Sequence, residues 1–210
     1  MAITIEDYRL PYDTHNVYDV DFFGDIIHTL VTHDPGMVSQ WLSEVESLNN
    51  HRRHLIVGLD VEWRPSFSRI QNPVATLQLC IDRRCLVYQL IHSSYIPDPL
   101  VEFLSEQDYT FVGVGIESDL DKLERDYGFG FNANAVDLRE LAAHTYQMRA
   151  LQNTGLKNLA SFVLDIEFEK PRRVTMSRWD YRWLTLDQVQ YACVDAYVSF
   201  EIGRVLNAAG

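Results

Sequence analysis

The sequence has 210 residues, of which 47% are hydrophobic, and this proportion excludes an intrinsically disordered chain and suits one well-formed core. No stretch approaches the length of a transmembrane helix, the N-terminus has neither the basic start nor the apolar centre of a signal peptide, and the three cysteines lack zinc-ligand spacing. We therefore expect one soluble, intracellular domain over residues 1–210 that contacts no membrane and keeps its cysteines as buried thiols.

The net charge of −12 is distributed unevenly along the chain. Residues 1–50 hold nine acidic side chains and one basic side chain, whereas residues 51–210 hold 21 acidic and 17 basic side chains. Within the second part, residues 169–182 (EKPRRVTMSRWDYR) combine basic and aromatic side chains, namely Lys170, Arg172, Arg173, Arg178, Trp179, Tyr181 and Arg182. This mixture suits single-stranded nucleic acid, because phosphates attract cations and bases stack on aromatic rings. A solvated loop with its tryptophan anchored in the core explains the segment equally well.

The first half of the chain predicts mainly strands. Alternating apolar residues in HNVYDVDFFGDIIHTLVTH indicate a β-hairpin that turns at Phe23-Gly24-Asp25, and Asp34-Pro35 begins a helix over DPGMVSQWLSEVESLN. Three further strand-like runs follow: HLIVGLDVEW, VATLQLCI and CLVYQLI. The short polar turn Asp82-Arg83-Arg84 makes the last two of these an antiparallel hairpin.

The second half alternates helices and strands. Helices are predicted over PDPLVEFLSEQ and ESDLDKLERDYG, a buried strand over YTFVGVGI, a strand leading into a helix over AVDLRELAAHTYQM, and a long final helix that Thr185 caps. A meander of strands followed by this alternation predicts an α/β, ribonuclease-H-like (DnaQ-like) fold. Its mixed five-stranded sheet is flanked by helices and lies in residues 51–210, and residues 1–50 form an acidic extension with a hairpin and a helix.

Acidic side chains occur in these elements at places where an unpaired charge is costly. Asp60 and Glu62 lie two residues apart after an apolar run, so they share one face of a strand that should be buried. Asp119 follows another buried strand, and Tyr191 and Asp195 are four residues apart on one face of the final helix. A strand end, a helix cap or an arginine partner explains each acid alone. Together they predict a site for hard divalent cations.

These residues carry a resemblance to the 3′-to-5′ exonucleases that use four acids and a tyrosine, particularly the Werner type. LDVEW with PVATLQLC is similar to that family's first motif, VGVGIESDLDKL to the second, and SRWDYRWLTLDQVQ with YACVDAY to the third. The second motif selects Asp119 rather than Asp121, which lies about 200° away around a helix. A sister class has histidine where this chain has Gln190, so the chain resembles the tyrosine (DEDDy) class.

The resemblance implies a catalytic core in residues 51–210 in which two Mg²⁺ or Mn²⁺ ions act at the terminal phosphodiester. Asp60, Glu62, Asp119 and Asp195 are the implied metal ligands, and Tyr191 is implied to orient the attacking water.

Four further residues are candidates for binding the substrate. Trp63 and Phe67, just beyond the first acids, are candidates for stacking on the terminal base, although packing in the core explains Phe67 equally well. The backbone at Val61 is a candidate for contacting the terminal 3′-hydroxyl, and Arg178 for contacting the strand.

The opening YRLPYDTHNVYDV and the length also resemble a plant group, the RISC-interacting clearing 3′-to-5′ exoribonucleases. This resemblance implies single-stranded RNA as substrate, a homohexameric ring whose neighbouring subunits complete each site, Argonaute partners and a cytoplasmic role. Trp183 departs from the Werner type, which usually has proline there. A DNA exonuclease of the Werner type, or a catalytically silent nucleic-acid-binding scaffold of the same fold, remains an alternative.

Overall fold

One mixed sheet of eight strands forms the centre of the fold. The structure, a computed structural model, describes residues 3–210. The strands are β1 (Thr4–Asp7), β2 (His15–Phe22), β3 (Asp25–Thr32), β4 (Leu55–Glu62), β5 (Thr76–Ile81), β6 (Arg84–Tyr88), β7 (Tyr109–Gly113) and β8 (Ala135–Asp137). Their spatial order is β1-β2-β3-β6-β5-β4-β7-β8. Neighbouring strands are antiparallel except in the pairs β3–β6, β4–β7 and β7–β8, which are parallel.

Seven helices flank this sheet in the described part of the chain. They are α1 (Pro35–Asn49), α2 (Asp98–Ser105), α3 (Ile116–Tyr127), α4 (Leu138–Thr145), α5 (Leu156–Leu164), α6 (Arg172–Thr175) and α7 (Leu186–Val205). None of the helices between residues 3 and 210 combines the length and the apolar character that crossing a lipid bilayer requires.

Each face of the sheet has its own hydrophobic layer. On one face, α4, α5 and α7 pack with inward side chains of the N-terminal strands, such as Val20 and Ile27. On the other face, α1, α2 and α3 contribute Trp41, Phe103 and Leu123. Strand β4 is covered on both sides, which explains its nearly continuous apolar sequence.

The side-chain alternation of β4 determines where its acids point. Val57, Leu59 and Val61 belong to the layer of α1, α2 and α3. Because successive side chains of a strand point to opposite faces, Asp60 and Glu62 point toward α7.

A glycine lets α7 pack directly on β4. A Cβ atom added to Gly58 would lie 2.0 Å from the carbonyl oxygen of Ala196 and 2.7 Å from the backbone nitrogen of Phe200. The two backbones therefore cross at Gly58 and Ala196, the residue that follows Asp195. Thr185 is the N-cap of helix α7, as predicted, and it also forms a capping box with Gln188.

The predicted fold class is confirmed, and the sheet is larger than the predicted five strands. The N-terminal hairpin continues the same sheet, because β3 pairs in parallel with β6, and β1 adds an edge strand. Neither β1 nor helices α5 and α6 were predicted. Helix α6 has only four residues, too few for a 3.6-residue period to be recognised, and β1 has four residues of which three are polar, so it shows no strand-like alternation.

Candidate active site

Three carboxylates meet where β4 and α7 cross. Asp60 and Glu62 come from β4 and Asp195 comes from α7, and one carboxylate oxygen of each lies within 4.8 Å of the others. Glu62 and Asp195 are buried and Asp60 is partly exposed. The structure thus brings together three of the four predicted metal ligands.

The carboxylates of this cluster are not fully compensated by nearby positive charge. Burial raises the pKa of Asp60 well above its usual value, and the neighbouring charges of Asp195 and Asp119 raise it further. Burial also raises the pKa of Glu62, and Asp60 adds to that effect. Among residues 3–210, the buried Oδ2 of Asp60 has no hydrogen-bond partner. An unpartnered carboxylate oxygen among buried acids fits a hard divalent cation, which prefers oxygen ligands.

Asp119 lies beside the cluster rather than inside it. It occupies the first turn of α3 and is close enough that its charge raises the pKa of Asp60. Burial and the charge of Asp137 raise the pKa of Asp119 itself to about 7, and Arg139 opposes them. Asp121 is exposed on α3, consistent with the choice of Asp119.

The loop before Asp119 is held by a partly buried hydrogen-bond network. Gly115 adopts a left-handed conformation with φ of 78°, and its backbone N–H donates to Asp137 at 2.9 Å. Arg139 donates to both carboxylate oxygens of Asp137, at 3.0 and 2.6 Å. These contacts fix the start of α3 relative to the end of β8.

Tyr191 lies one turn before Asp195 on α7. Its hydroxyl oxygen accepts a hydrogen bond from Thr175 Oγ1 at 3.1 Å, and its ring lies 6.0 Å from that of Trp179 between centroids. Burial raises the pKa of Tyr191 far above its usual value, with a further contribution from Asp195. The hydroxyl is therefore protonated at neutral pH and can orient a water molecule, but it is a poor base.

Lys170 is a member of this site that the sequence analysis did not assign to it. Its Nζ lies 2.5 Å from Asp195 Oδ2 and 5.1 Å from the centroid of the Tyr191 ring. Burial alone would lower the pKa of Lys170, but the charges of Asp195 and Asp60 outweigh it and raise the pKa. The only signal in the sequence was its place in the basic segment, between Phe168 and Val174, which are buried.

The rest of the basic segment, together with Trp183 directly after it, divides between core and surface. Trp179 is fully buried, as the interpretation of an anchored tryptophan predicts, whereas Tyr181 and Trp183 are exposed. Arg178 lies at the surface, where its guanidinium group stacks 4.2 Å from the centroid of the Tyr181 ring.

The residues predicted to bind the substrate occupy different environments. Val61 is buried on the opposite face of β4 from the acids, and Trp63 is half-buried with Lys122 Nζ 5.1 Å from its ring centroid. Phe67 is 100% exposed in the loop between β4 and β5. Packing of Phe67 in the core is therefore wrong, because this loop extends away from the sheet.

A groove lies between that loop and the turn after α6. It is a cavity of about 460 Å³ whose lining includes Arg64, Phe67, Met176 and Arg178. Asp180 accepts hydrogen bonds from Arg64 at 3.3 Å and from Arg178 at 3.2 Å. The rim thus carries two cations, one anion and an exposed aromatic ring.

Comparisons with known proteins identify the family. The sequence profile of a family described as 3′-5′ exonuclease matches residues 37–208. The chain belongs to this family. A 3′-5′ exonuclease of Arabidopsis thaliana is 37% identical over 154 residues, which cover 72% of this chain and 52% of that protein. The bifunctional 3′-5′ exonuclease/ATP-dependent helicase WRN of Mus musculus is 28% identical over 197 residues, covering 93% of this chain and 14% of that protein. The chain spans about half the length of the first of these relatives and a smaller part of the second.

Solved structures of exonucleases have related folds. The EXD2 exonuclease domain soaked in Mn and Mg is 27% identical, with a TM-score of 0.50 over 85% of this chain and 88% of that one. Escherichia coli RNase D, an exoribonuclease involved in structured RNA processing, has a TM-score of 0.69 over 85% of this chain and 44% of that one. At 16% identity, the likeness to RNase D shows a shared fold alone.

Proposed function

We propose that this chain is a metal-dependent 3′-to-5′ exonuclease that removes nucleotides from the 3′ end of single-stranded nucleic acid. The observation that carries this proposal is the convergence of Asp60, Glu62 and Asp195 at the carboxyl end of a buried strand. Buried acids at this density are costly unless cations compensate them. Membership of the 3′-5′ exonuclease family supports the direction of cleavage.

Two divalent cations, Mg²⁺ or Mn²⁺, are the proposed cofactors. Asp60, Glu62 and Asp195 would hold them together with Asp119, which lies in the first turn of α3 and whose charge raises the pKa of Asp60. Bound there, such ions lower the pKa of a water molecule and stabilise the attacking and leaving oxygens of a phosphodiester. Tyr191 keeps its proton and orients the water through its hydroxyl, which Thr175 holds in place.

The groove between the β4–β5 loop and the turn after α6 is the proposed path of the strand. Phe67 offers an exposed ring for stacking on a base, and Arg64 and Arg178 offer cations for phosphates. Trp63, half-buried nearer the acids, would contact the terminal base. The backbone of Val61 would contact the terminal 3′-hydroxyl. Strand β7 pairs with residues 55–58 of β4, so Val61 lies past the end of this pairing and its backbone is not bonded to β7.

RNA is the proposed substrate. The proposed role of the protein is to clear RNA associated with small-RNA complexes in the cytoplasm. The support for RNA, for Argonaute partners and for a homohexamer is the resemblance of the N-terminal segment to the plant exoribonuclease group. The N-terminal strands, which carry the exposed side chains of Tyr8, Tyr12 and Ile26 on and beside them, are the proposed assembly surface. Residues 1–210 would act as one domain, with the catalytic core in residues 51–210.

The test uses end-labelled single-stranded RNA and DNA of one sequence, each with a free or blocked 3′ end, in the presence of Mg²⁺. We expect stepwise shortening of RNA that has a free 3′ end, and no shortening by the Asp60→Ala variant. Equal attack on DNA would instead favour a DNA exonuclease of the Werner type. No cleavage of either substrate would favour a silent scaffold.

A matched pair of variants tests the role of Asp119. Asp119→Ala removes the half-buried carboxylate whose charge raises the pKa of Asp60, whereas Asp121→Ala removes an exposed carboxylate from the same helix. We expect cleavage to fall only in Asp119→Ala. Equal rates in the two variants would remove Asp119 from the proposed ligand set.

A further inference from the structure

The cation that compensates Asp195 in this structure belongs to the chain itself. Lys170 Nζ contacts Asp195 Oδ2 at 2.5 Å, and the side chain of Asp195 is only 4% exposed. Asp195 is also one of the three acids whose oxygens lie within 4.8 Å of one another. The ammonium group therefore contacts the carboxylate that a divalent ion would need.

Lys170 is placed so that it can leave this carboxylate without rearrangement of the fold. Phe168 and Val174, on either side of it in sequence, are buried and anchor the segment. The side chain of Lys170 itself is 26% exposed. It lines a cavity of about 90 Å³ together with Arg173, Gln190 and Asp195, so the ammonium group has space beside its present position.

We propose that Lys170 is a built-in competitor of the divalent ions, holding Asp195 in place until an ion binds and then withdrawing from it. The proposal rests on the metal-dependent function proposed above and adds a regulation of metal affinity to it. One ammonium group cannot satisfy all the acids of the cluster, since Asp60 Oδ2 is unpartnered within the described residues. A divalent ion can contact several of these oxygens at once, and it therefore displaces the Lys170 ammonium group from Asp195.

The first test is a titration of Mn²⁺ into the protein, followed by calorimetry and by the electron paramagnetic resonance signal of free Mn²⁺. For Lys170→Met we expect the dissociation constant to fall about tenfold, because the ion no longer displaces a charge-assisted hydrogen bond. Lys157→Met is the matched control, since Lys157 makes a 2.8 Å ion pair with the exposed Glu169. It should bind Mn²⁺ with the wild-type affinity.

Weaker or unchanged Mn²⁺ binding by Lys170→Met would overturn the proposal, because a residue that only orients Asp195 would support the metal instead of opposing it. Such a result would leave the proposed exonuclease function intact if the wild type binds Mn²⁺ and cleaves. A wild type that neither binds Mn²⁺ nor cleaves would overturn both proposals.

A second measurement needs no variant and covers the case in which Lys170→Met fails to fold. The wild-type protein is treated with an amine-reactive reagent in EDTA or in Mn²⁺, and the modified lysines are identified by mass spectrometry. We expect Lys170 to become several-fold more reactive in Mn²⁺ while Lys157 stays constant. Equal reactivity of Lys170 in the two conditions would show that it does not leave Asp195.

Discussion

The acidic cluster and the rim of the groove are neighbouring charged regions with opposite physical character. In the cluster, Asp60, Glu62 and Asp195 come from regular elements. Burial raises the pKa of Asp60 and of Glu62, and the charges of neighbouring carboxylates raise both further. At the rim, Arg64 and Arg178 share Asp180 in solvent, where ion pairs are screened. Removal of one charge should therefore have a large effect in the cluster and a small effect at the rim.

The two regions also differ in how their backbones are held. The cluster depends on direct contact between α7 and β4 at Gly58. The loop that carries Phe67 is tied to α3 at its far end, where Lys122 Nζ donates to the carbonyl of Asn72 at 2.8 Å and Asp126 accepts from Val74 N–H at 2.8 Å. Within residues 3–210, the hydrogen bonds between this loop and α3 are confined to that far end. This arrangement holds the chemistry rigidly and leaves the substrate contacts adaptable.

The largest effect should come from Asp60→Asn. We expect the cleavage rate to fall at least about a thousandfold, since a neutral amide is a poor ligand for the cations that stabilise the transition state. The melting temperature in EDTA should stay constant or rise, because the substitution removes a buried like charge whose Oδ2 is unpartnered in the described chain. Single-turnover cleavage and thermal unfolding measure the two quantities. A variant that cleaves at the wild-type rate would contradict the metal-ligand assignment.

The next largest effect should be a loss of stability when the close contact between β4 and α7 is disturbed. Gly58→Ala should reduce the free energy of unfolding by about 3 kcal/mol, because the added methyl group collides with the backbone of α7. Gly155→Ala is the control, since Gly155 has φ of −76° and nothing within 4 Å of an added Cβ. Urea denaturation measures both variants. Equal stabilities would mean that the close contact between α7 and β4 is dispensable.

At the rim, Phe67→Ala should raise KM about tenfold and leave kcat nearly unchanged, because loss of base stacking weakens binding of substrate and transition state alike. Ile70→Ala is the control, as Ile70 is 82% exposed in the same loop and has no ring. Steady-state kinetics on a single-stranded substrate separate the two constants. A fall in kcat alone would place Phe67 in the chemical step instead.

The smallest effect should come from Arg178→Ala. We expect binding to weaken a few-fold, and the slope of log affinity against log salt to shrink by about 0.7, the value for one phosphate contact on a single strand. Arg204→Ala is the control. It removes an exposed arginine that pairs with Glu201 near the C-terminal end of α7, and it should leave the slope unchanged. Fluorescence anisotropy at several salt concentrations measures this, and an unchanged slope for Arg178→Ala would remove it from the proposed strand path.

Local rules were sufficient for much of the fold and for the composition of the candidate site. The two-residue period of strands assigned Asp60 and Glu62 to one face, and the four-residue spacing aligned Tyr191 with Asp195 on α7. Thr185 was recognised as a helix cap from its residue type at the start of the final helix, and the structure shows it as the N-cap of α7. Each of these inferences depends on residues that are close in sequence.

Tertiary structure decided what depends on residues far apart in sequence. The parallel pairing of β3 with β6 extended the sheet to eight strands, and the contact of Gly58 with α7 brought Asp195 to Asp60. The same packing turned Lys170 inward to Asp195, and it left Phe67 in solvent. The sequence determined which residue types carry the chemistry, because periodicity and capping are local. The tertiary structure decided which residues these side chains contact, because the burial of each side chain depends on the distant segment that covers it.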